Sequence, residues 1–266
     1  MTTKKKTISV AFSGSGFLAP IHVGAACAFL DHDYTFDSVA GTSGGSIVAG
    51  IVASGFSSLQ LENIAMTADF KSVLKPSIFS MIKGEAYCNG NALLELLTKL
   101  TQGRKFKDLN IPCKIIATNL NESKPYVFSK ETTPDIPVAL GCRASSSVPY
   151  IYASVPMEGK TLVDGGVVNN IPISFLTGPK KVGIAVNDSG VNKLGGPIKM
   201  ASALISCLLS SNEGTQEVLA KSQGAGLITV DPGDIWFMDT NITMDQRKTL
   251  FKQGYQGVVS WLATQS

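Results

Sequence analysis

VAGTSGGSIVAG, residues 39–50, sets a run of small residues between two apolar segments. Val39 and Ala40 close a predicted strand over 36–40, and Ile47 lies in a predicted helix from Gly44 to Val52. Between them stands Gly41-Thr42-Ser43-Gly44-Gly45, a G-x-S-x-G. A serine at the tip of a tight strand-to-helix turn exposes its hydroxyl. The glycines relieve the crowding, and the next N–H, here Gly44, is free to meet negative charge. The plainer reading is Ser43 as the N-cap of the helix, a role serine fills well. If Ser43 is a nucleophile, it needs a base.

Working outward, strands alternate with helices along the whole chain. Residues 7–12 (TISVAF) predict a buried first strand, followed by Ser13-Gly14-Ser15-Gly16 and a helix from Pro20 to about Leu30. Further helices are expected over 59–68, 91–100 with Asn91 as N-cap, 134–143, 199–209, 215–223 and 243–262, the last interrupted by Gly254 and Gly257. Strands are expected over 113–118, 126–128, 181–186 and 227–230, and residues 71–90 read as irregular. Such alternation predicts an α/β fold with a largely parallel sheet. No linker or repeat divides residues 1–266, so one domain is expected. The Gly-rich loop and Ser43 follow the first two strands, where open α/β sheets place their sites.

Composition narrows the function classes. The chain has 44% hydrophobic and 16% charged residues and a net charge of +3, too small an excess to predict a nucleic-acid partner. Cys27, Cys88, Cys113, Cys142 and Cys207 form no C-x-x-C pair, which argues against a disulfide framework or a zinc site and fits a reducing compartment. The start, MTTKKKTISVAF, lacks the apolar core of a leader peptide, and the apolar runs are too short to span a bilayer. A cytoplasmic location is expected.

Gly14-Ser15-Gly16-Phe17-Leu18-Ala19 fits G-x-G-x-x-G/A in a strand–helix context. A dinucleotide site would also place Asp or Glu at the end of the second strand. That strand instead ends in the small residues around Ser43, and Asp37 stands at its beginning. The other readings are an oxyanion hole made of backbone N–H groups at a helix N-terminus, or a plain tight turn. The only histidines, His22 and His32, both precede Ser43, which excludes the serine–acid–histidine order of α/β-hydrolases. Among the carboxylates Asp164 stands out. It ends the apolar run Thr161-Leu162-Val163 and enters Gly165-Gly166-Val167-Val168-Asn169-Asn170-Ile171-Pro172. It is a candidate to take the Ser43 proton directly, with a turn cap as the bland alternative.

Taken together, SGSGFLAPIHVGA (13–25), GTSGG (41–45) and DGGVVNNIP (164–172) resemble the patatin-like phospholipases, in order and over nearly the whole chain. IPCKIIATNLNESKPYVF (111–128) and CRASSSVPYIYASV (142–155) agree with the same family. The resemblance implies a three-layer fold with a central, mostly parallel sheet flanked by helices. It implies a Ser43–Asp164 dyad and an oxyanion hole from the N–H groups of Gly14, Ser15 and Gly16, with Gly44 able to join. Gly41, Gly45, Gly165 and Gly166 support these motifs. It further implies hydrolysis of carboxylic esters of phospholipids or other acyl lipids through an acyl-enzyme, without metal or cofactor.

Two positions depart from the family's G-G-G-x-R/K-G loop. Ser15 replaces the middle glycine, and Leu18 replaces the basic residue, which is expected to add apolar surface beside the site. The departures keep a catalytically silent binding protein as the alternative, with nucleotide binding behind it. A lipid substrate implies transient contact with a membrane surface. Two apolar clusters in expected loops, 78–82 (IFSMI) and 235–238 (IWFM), are the candidates to touch lipid or cover the site, against ordinary core packing.

Overall fold

The structure, a computed structural model, describes residues 6–187 and 220–265 and five separate positions between them (200, 203, 207, 214 and 218). The helices expected over 199–209 and 215–223 fall mostly outside the described residues. In chain order the strands are β1 (Lys6–Phe12), β2 (Tyr34–Thr42), β3 (Ala86–Cys88), β4 (Cys113–Asn119), β5 (Lys124–Phe128), β6 (Tyr150–Tyr152), β7 (Val155–Met157), β8 (Lys160–Val163), β9 (Lys181–Val186) and β10 (Gly226–Val230). The helices are α1 (Ala19–Asp31), α2 (Gly44–Ala53), α3 (Ser58–Thr67), α4 (Ile78–Ile82), α5 (Asn91–Leu100), α6 (Val138–Ser145) and α7 (Met244–Ala263).

The main sheet runs β10-β9-β1-β2-β4-β8-β7, with β5 also on β4. The five strands from β10 to β4 are mutually parallel, and β5, β8 and β7 add an antiparallel margin. Alternate residues of a strand face opposite sides, so each face has its own core. Val10 and Phe12 of β1 join the larger core beneath α1, α2 and α7. Ala11 joins a smaller one with Ala40, Ile171, Ile173 and Ala185. Helices thus flank a mixed, mostly parallel sheet. Among the described residues no helix is long and apolar enough to cross a membrane.

Local chemistry accounts for the places where expectation and structure differ. The helix expected from residue 134 starts at Val138, because Pro137 disfavours helical backbone at Ile136 and becomes the cap itself. Asn91 is not the cap of α5. Gly90, at φ 81°, holds that place, and the side chain of Asn89 accepts the Asn91 N–H at 3.0 Å. Gly254 does not interrupt α7. A Cβ there would run into the Ile21 carbonyl, so the glycine lets α7 lie close on α1. Residues 71–90, read as irregular, contain α4 and β3, elements too short for periodicity to reveal.

Candidate active site

Register brings three separated segments together. Phe12 pairs with Gly41, so the loop leaving β1 lies beside the turn leaving β2. Thr42 pairs with Ile116 on β4, and Thr118 pairs with Val163 on the antiparallel β8. The chain leaving Val163 therefore heads back toward the level of Thr42. Ser43 and Asp164 meet there although 121 residues separate them.

Ser43 takes φ 51° and ψ −126°, a conformation that costs a non-glycine residue about 1–3 kcal/mol and persists only where its surroundings enforce it. Its N–H donates to Ser145 Oγ at 2.9 Å, and Ser145 Oγ–H donates to the Ile116 carbonyl at 2.5 Å. Ser46 Oγ–H donates to the Ser43 carbonyl at 2.6 Å. The turn is tight enough that a Cβ on Gly41 would meet the Gly45 carbonyl, and one on Gly45 would meet the Phe12 and Ser13 carbonyls. Sequence reasoning did not single out Ser145. Its signal in the sequence is the CRASSSVP stretch, residues 142–149.

Asp164 is buried and uses its two carboxylate oxygens differently. Oδ2 accepts the Ser43 Oγ–H at 2.6 Å, and Oδ1 accepts the Gly166 N–H at 2.8 Å, capping the 3-10 turn Gly165–Val167. The capping and Ser43-facing roles are thus both present in one side chain. Thr118 Oγ1–H donates to the Asp164 carbonyl at 2.8 Å, and the Asp164 N–H donates to the Ser147 carbonyl at 2.9 Å. A Cβ on Gly165 would overlap the Ile116 carbonyl, so this backbone also runs tight against β4. Burial pushes the carboxyl up from 3.8 to about 6, while the hydrogen bonds from Ser43 and Gly166 act in the opposite direction.

The Gly-rich loop lies over the start of α2, close enough that a Cβ on Gly44 would hit the Gly16 carbonyl. The Gly14 N–H is already engaged, at 3.2 Å from the Asn170 carbonyl and 3.1 Å from Asn170 Oδ1. This corrects the expectation that all three loop N–H groups are free. Gly14 ties the loop to the DGGVVNN segment. The N–H groups of Ser15 and Gly16 have no partner among the described residues, and Ser15 Oγ is buried without one. His22 is fully buried. Its Nε2–H donates to the Ser13 carbonyl at 2.9 Å, and burial lowers its pKa to about 4, so it is a neutral prop for the loop.

Leu18 departs from expectation too. It is buried in the larger core and does not line the cavity at Ser43. Its N–H closes a turn onto the Ser15 carbonyl, which directs the side chain inward, where an unpaired cation would lose its hydration. Phe17 lines the cavity instead, with Phe70, Val148, Tyr152 and Met238. None of the described lining residues is charged. Ser146 also lines the cavity, and its Oγ is buried without a hydrogen-bond partner among the described residues. The space is about 30 Å³, roughly the share of one water in the liquid.

The two apolar clusters part company. Phe237 and Met238 are buried over the Gly-rich loop, and the Phe237 carbonyl accepts the Phe17 N–H at 2.7 Å. The cluster at 78–82 forms α4 and faces solvent.

The chain is similar to several known proteins. An uncharacterised protein of Acanthamoeba polyphaga mimivirus is 27% identical, over 94% of this chain and 92% of its own. The uncharacterised protein YqhO of Bacillus subtilis (strain 168) is 24% identical, over 91% and 94% respectively. The crystal structure of VipD from Legionella pneumophila shares the fold with a TM-score of 0.63 at 15% identity, over 98% of this chain and 67% of that one. The family model described as patatin-like phospholipase matches residues 10–177, which include the Gly-rich loop, the Ser43 turn and the Asp164 segment, and the chain belongs to that family of lipid acyl hydrolases.

Proposed function

We propose that the protein hydrolyses carboxylic esters of acyl lipids with Ser43 as nucleophile and Asp164 as its base. The observation that carries this reading is the 2.6 Å hydrogen bond from Ser43 Oγ to a buried Asp164. As Ser43 Oγ attacks the ester carbonyl carbon, its proton passes to Asp164 Oδ2. The carbonyl oxygen becomes an oxyanion, which the N–H groups of Ser15, Gly16 and Gly44 stabilise, aided by the positive end of α2. Gly14 is left out of this hole because its N–H is held by Asn170. Collapse of the intermediate expels the alcohol, which takes the proton back from Asp164. Water then attacks the acyl-enzyme and gives a proton to Asp164, which returns it to Ser43 Oγ as the fatty acid leaves.

The side chains lining the cavity are mostly apolar and none of those described is charged, so they offer an acyl chain an apolar surface and an anionic headgroup no cation. The space of about 30 Å³ must widen to admit a chain. Both phospholipids and neutral acyl esters fit this chemistry. Incubation with a lipid extract, read by mass spectrometry, is expected to release free fatty acid with wild type and none with Ser43→Ala. A fluorophosphonate probe is expected to label wild type at Ser43. Equal labelling of Ser43→Ala would remove Ser43 from the nucleophile's role.

A further inference from the structure

Helix α4 is built inside out. Of Ile78-Phe79-Ser80-Met81-Ile82, the one buried residue is Ser80, while the four apolar side chains are 75%, 69%, 51% and 80% exposed in sequence order. Isolated exposed apolar residues are normal, but four packed into one turn and a half of helix mark a contact surface. The helix rides on a fixed base. Pro76 bridges Cys88, and the Ser77 N–H donates to the Tyr87 carbonyl at 2.8 Å. Strand β3 pairs with β6, which carries the cavity residue Tyr152 and an exposed Tyr150. Arg143 holds this base from beneath, its guanidinium donating to the carbonyls of Gly90, Asn89 and Ala153. Upstream, the same segment begins at Phe70, another cavity residue. The apolar helix therefore projects from the wall of the site.

Its surroundings identify the partner. Between residues 70 and 84 the only charged side chains are Lys71, Lys75 and Lys83, all exposed. The Lys83 ammonium lies 4.3 Å from the centre of the Phe79 ring and 4.0 Å from Glu85. An apolar helix with Lys75 before it and Lys83 after it in the chain matches a bilayer, with acyl chains for the helix and lipid phosphates for the ammonium groups. A five-residue helix is about 8 Å long. With a helix about 10–12 Å across, its exposed face offers on the order of 100 Å², far short of the roughly 800 Å² per partner that a stable protein interface buries.

We propose that α4 and its lysines form a docking site for an anionic phospholipid bilayer, which brings the cavity at Ser43 to the membrane surface. The purpose of the docking rests on the lipid-hydrolase reading above, whereas the docking itself does not require Ser43. The test is co-sedimentation of the full chain with phosphatidylcholine vesicles, with and without phosphatidylglycerol. Wild type and Ser43→Ala are both expected to bind, more tightly when phosphatidylglycerol is present. Phe79→Ser combined with Ile82→Ser should weaken binding at least tenfold, and Lys75→Ala and Lys83→Ala by about fivefold each.

The double serine variant is expected to keep wild-type turnover of a short soluble ester and to lose turnover of vesicle-borne lipid. Docking is overturned if wild type binds neither vesicle, or if the double variant binds as well as wild type. It is also overturned if light scattering shows a wild-type dimer that the double variant converts to monomer while vesicle binding is unchanged. Vesicle binding without cleavage of any ester would instead sink the catalytic reading and leave the docking intact.

Discussion

Two regions of this molecule reverse the usual rule that apolar groups go inside and polar groups outside. Around Ser43 the interior holds a carboxyl, several hydroxyls and a serine at φ 51°. On α4 the surface holds four apolar side chains while the one serine is buried. The first reversal is enclosed and largely hydrogen-bonded, with Asp164 meeting Ser43 on one oxygen and Gly166 on the other. The second faces water, and no described residue covers it. A polar group inside is tolerated when the protein supplies its partners, whereas an apolar surface outside calls for a partner from elsewhere.

Replacing Asp164 should break the contrast hardest. Asp164→Asn keeps the shape and an acceptor for Gly166 but removes the proposed base, so kcat on a soluble ester is expected to fall by about 10²–10⁴. The wild-type pH profile of kcat/KM should rise through an acid limb near pH 6, where the buried carboxyl ionises. Stability should respond in the opposite sense. The folded carboxyl is raised from 3.8 to about 6, so the unfolded chain releases its proton first. Asp164 therefore lowers stability as pH rises through that window, by an amount on the order of 3 kcal/mol once complete.

His22 has the other sign. It is lowered from 6.5 to about 4, so its stabilising effect is lost as pH falls through that window. Between about pH 4 and 6 the two slopes oppose each other in wild type. In Asp164→Asn the opposing slope is gone, and the free energy of unfolding should climb with pH through this window, by about 1.4 kcal/mol per unit from His22. A flat profile in that variant would contradict the assignment.

A smaller effect separates the two apolar clusters. Phe237→Ala removes a buried ring from above the Gly-rich loop and should cost about 3 kcal/mol in urea denaturation, with a clear drop in soluble-ester turnover. The smallest belongs to α4. Phe79→Ser takes a side chain that is already in water and should leave stability within about 0.5 kcal/mol of wild type. A large loss there would mean that the helix packs against something within the chain.

The apolar clusters also show how far a sequence can be read. IFSMI and IWFM look alike as strings, and both were expected in loops as candidates to cover the site or touch lipid. Composition cannot say which is inside, because burial depends on what packs on top. The long elements were legible: β1, α1, β2, α2, β4, β9 and α7 lie within a few residues of their expected bounds. Their hydrophobic periods repeat often enough to be recognised. The short strands β3, β6 and β7 were not, since three residues carry no period and their pairing is supplied by distant segments.

By itself the sequence determined the α/β alternation, the tight turn at Ser43, the absence of any histidine downstream of it and the candidacy of Asp164. All of these follow from local spacing and residue chemistry. Tertiary structure alone decided the rest. Strand register set Ser43 Oγ 2.6 Å from Asp164, Asn170 took up the Gly14 N–H, Leu18 turned into the core, and α4 was left bare beside the cavity wall. Those outcomes depend on which surfaces meet across the folded chain, and contacts between residues more than a hundred positions apart leave no periodic trace in the string.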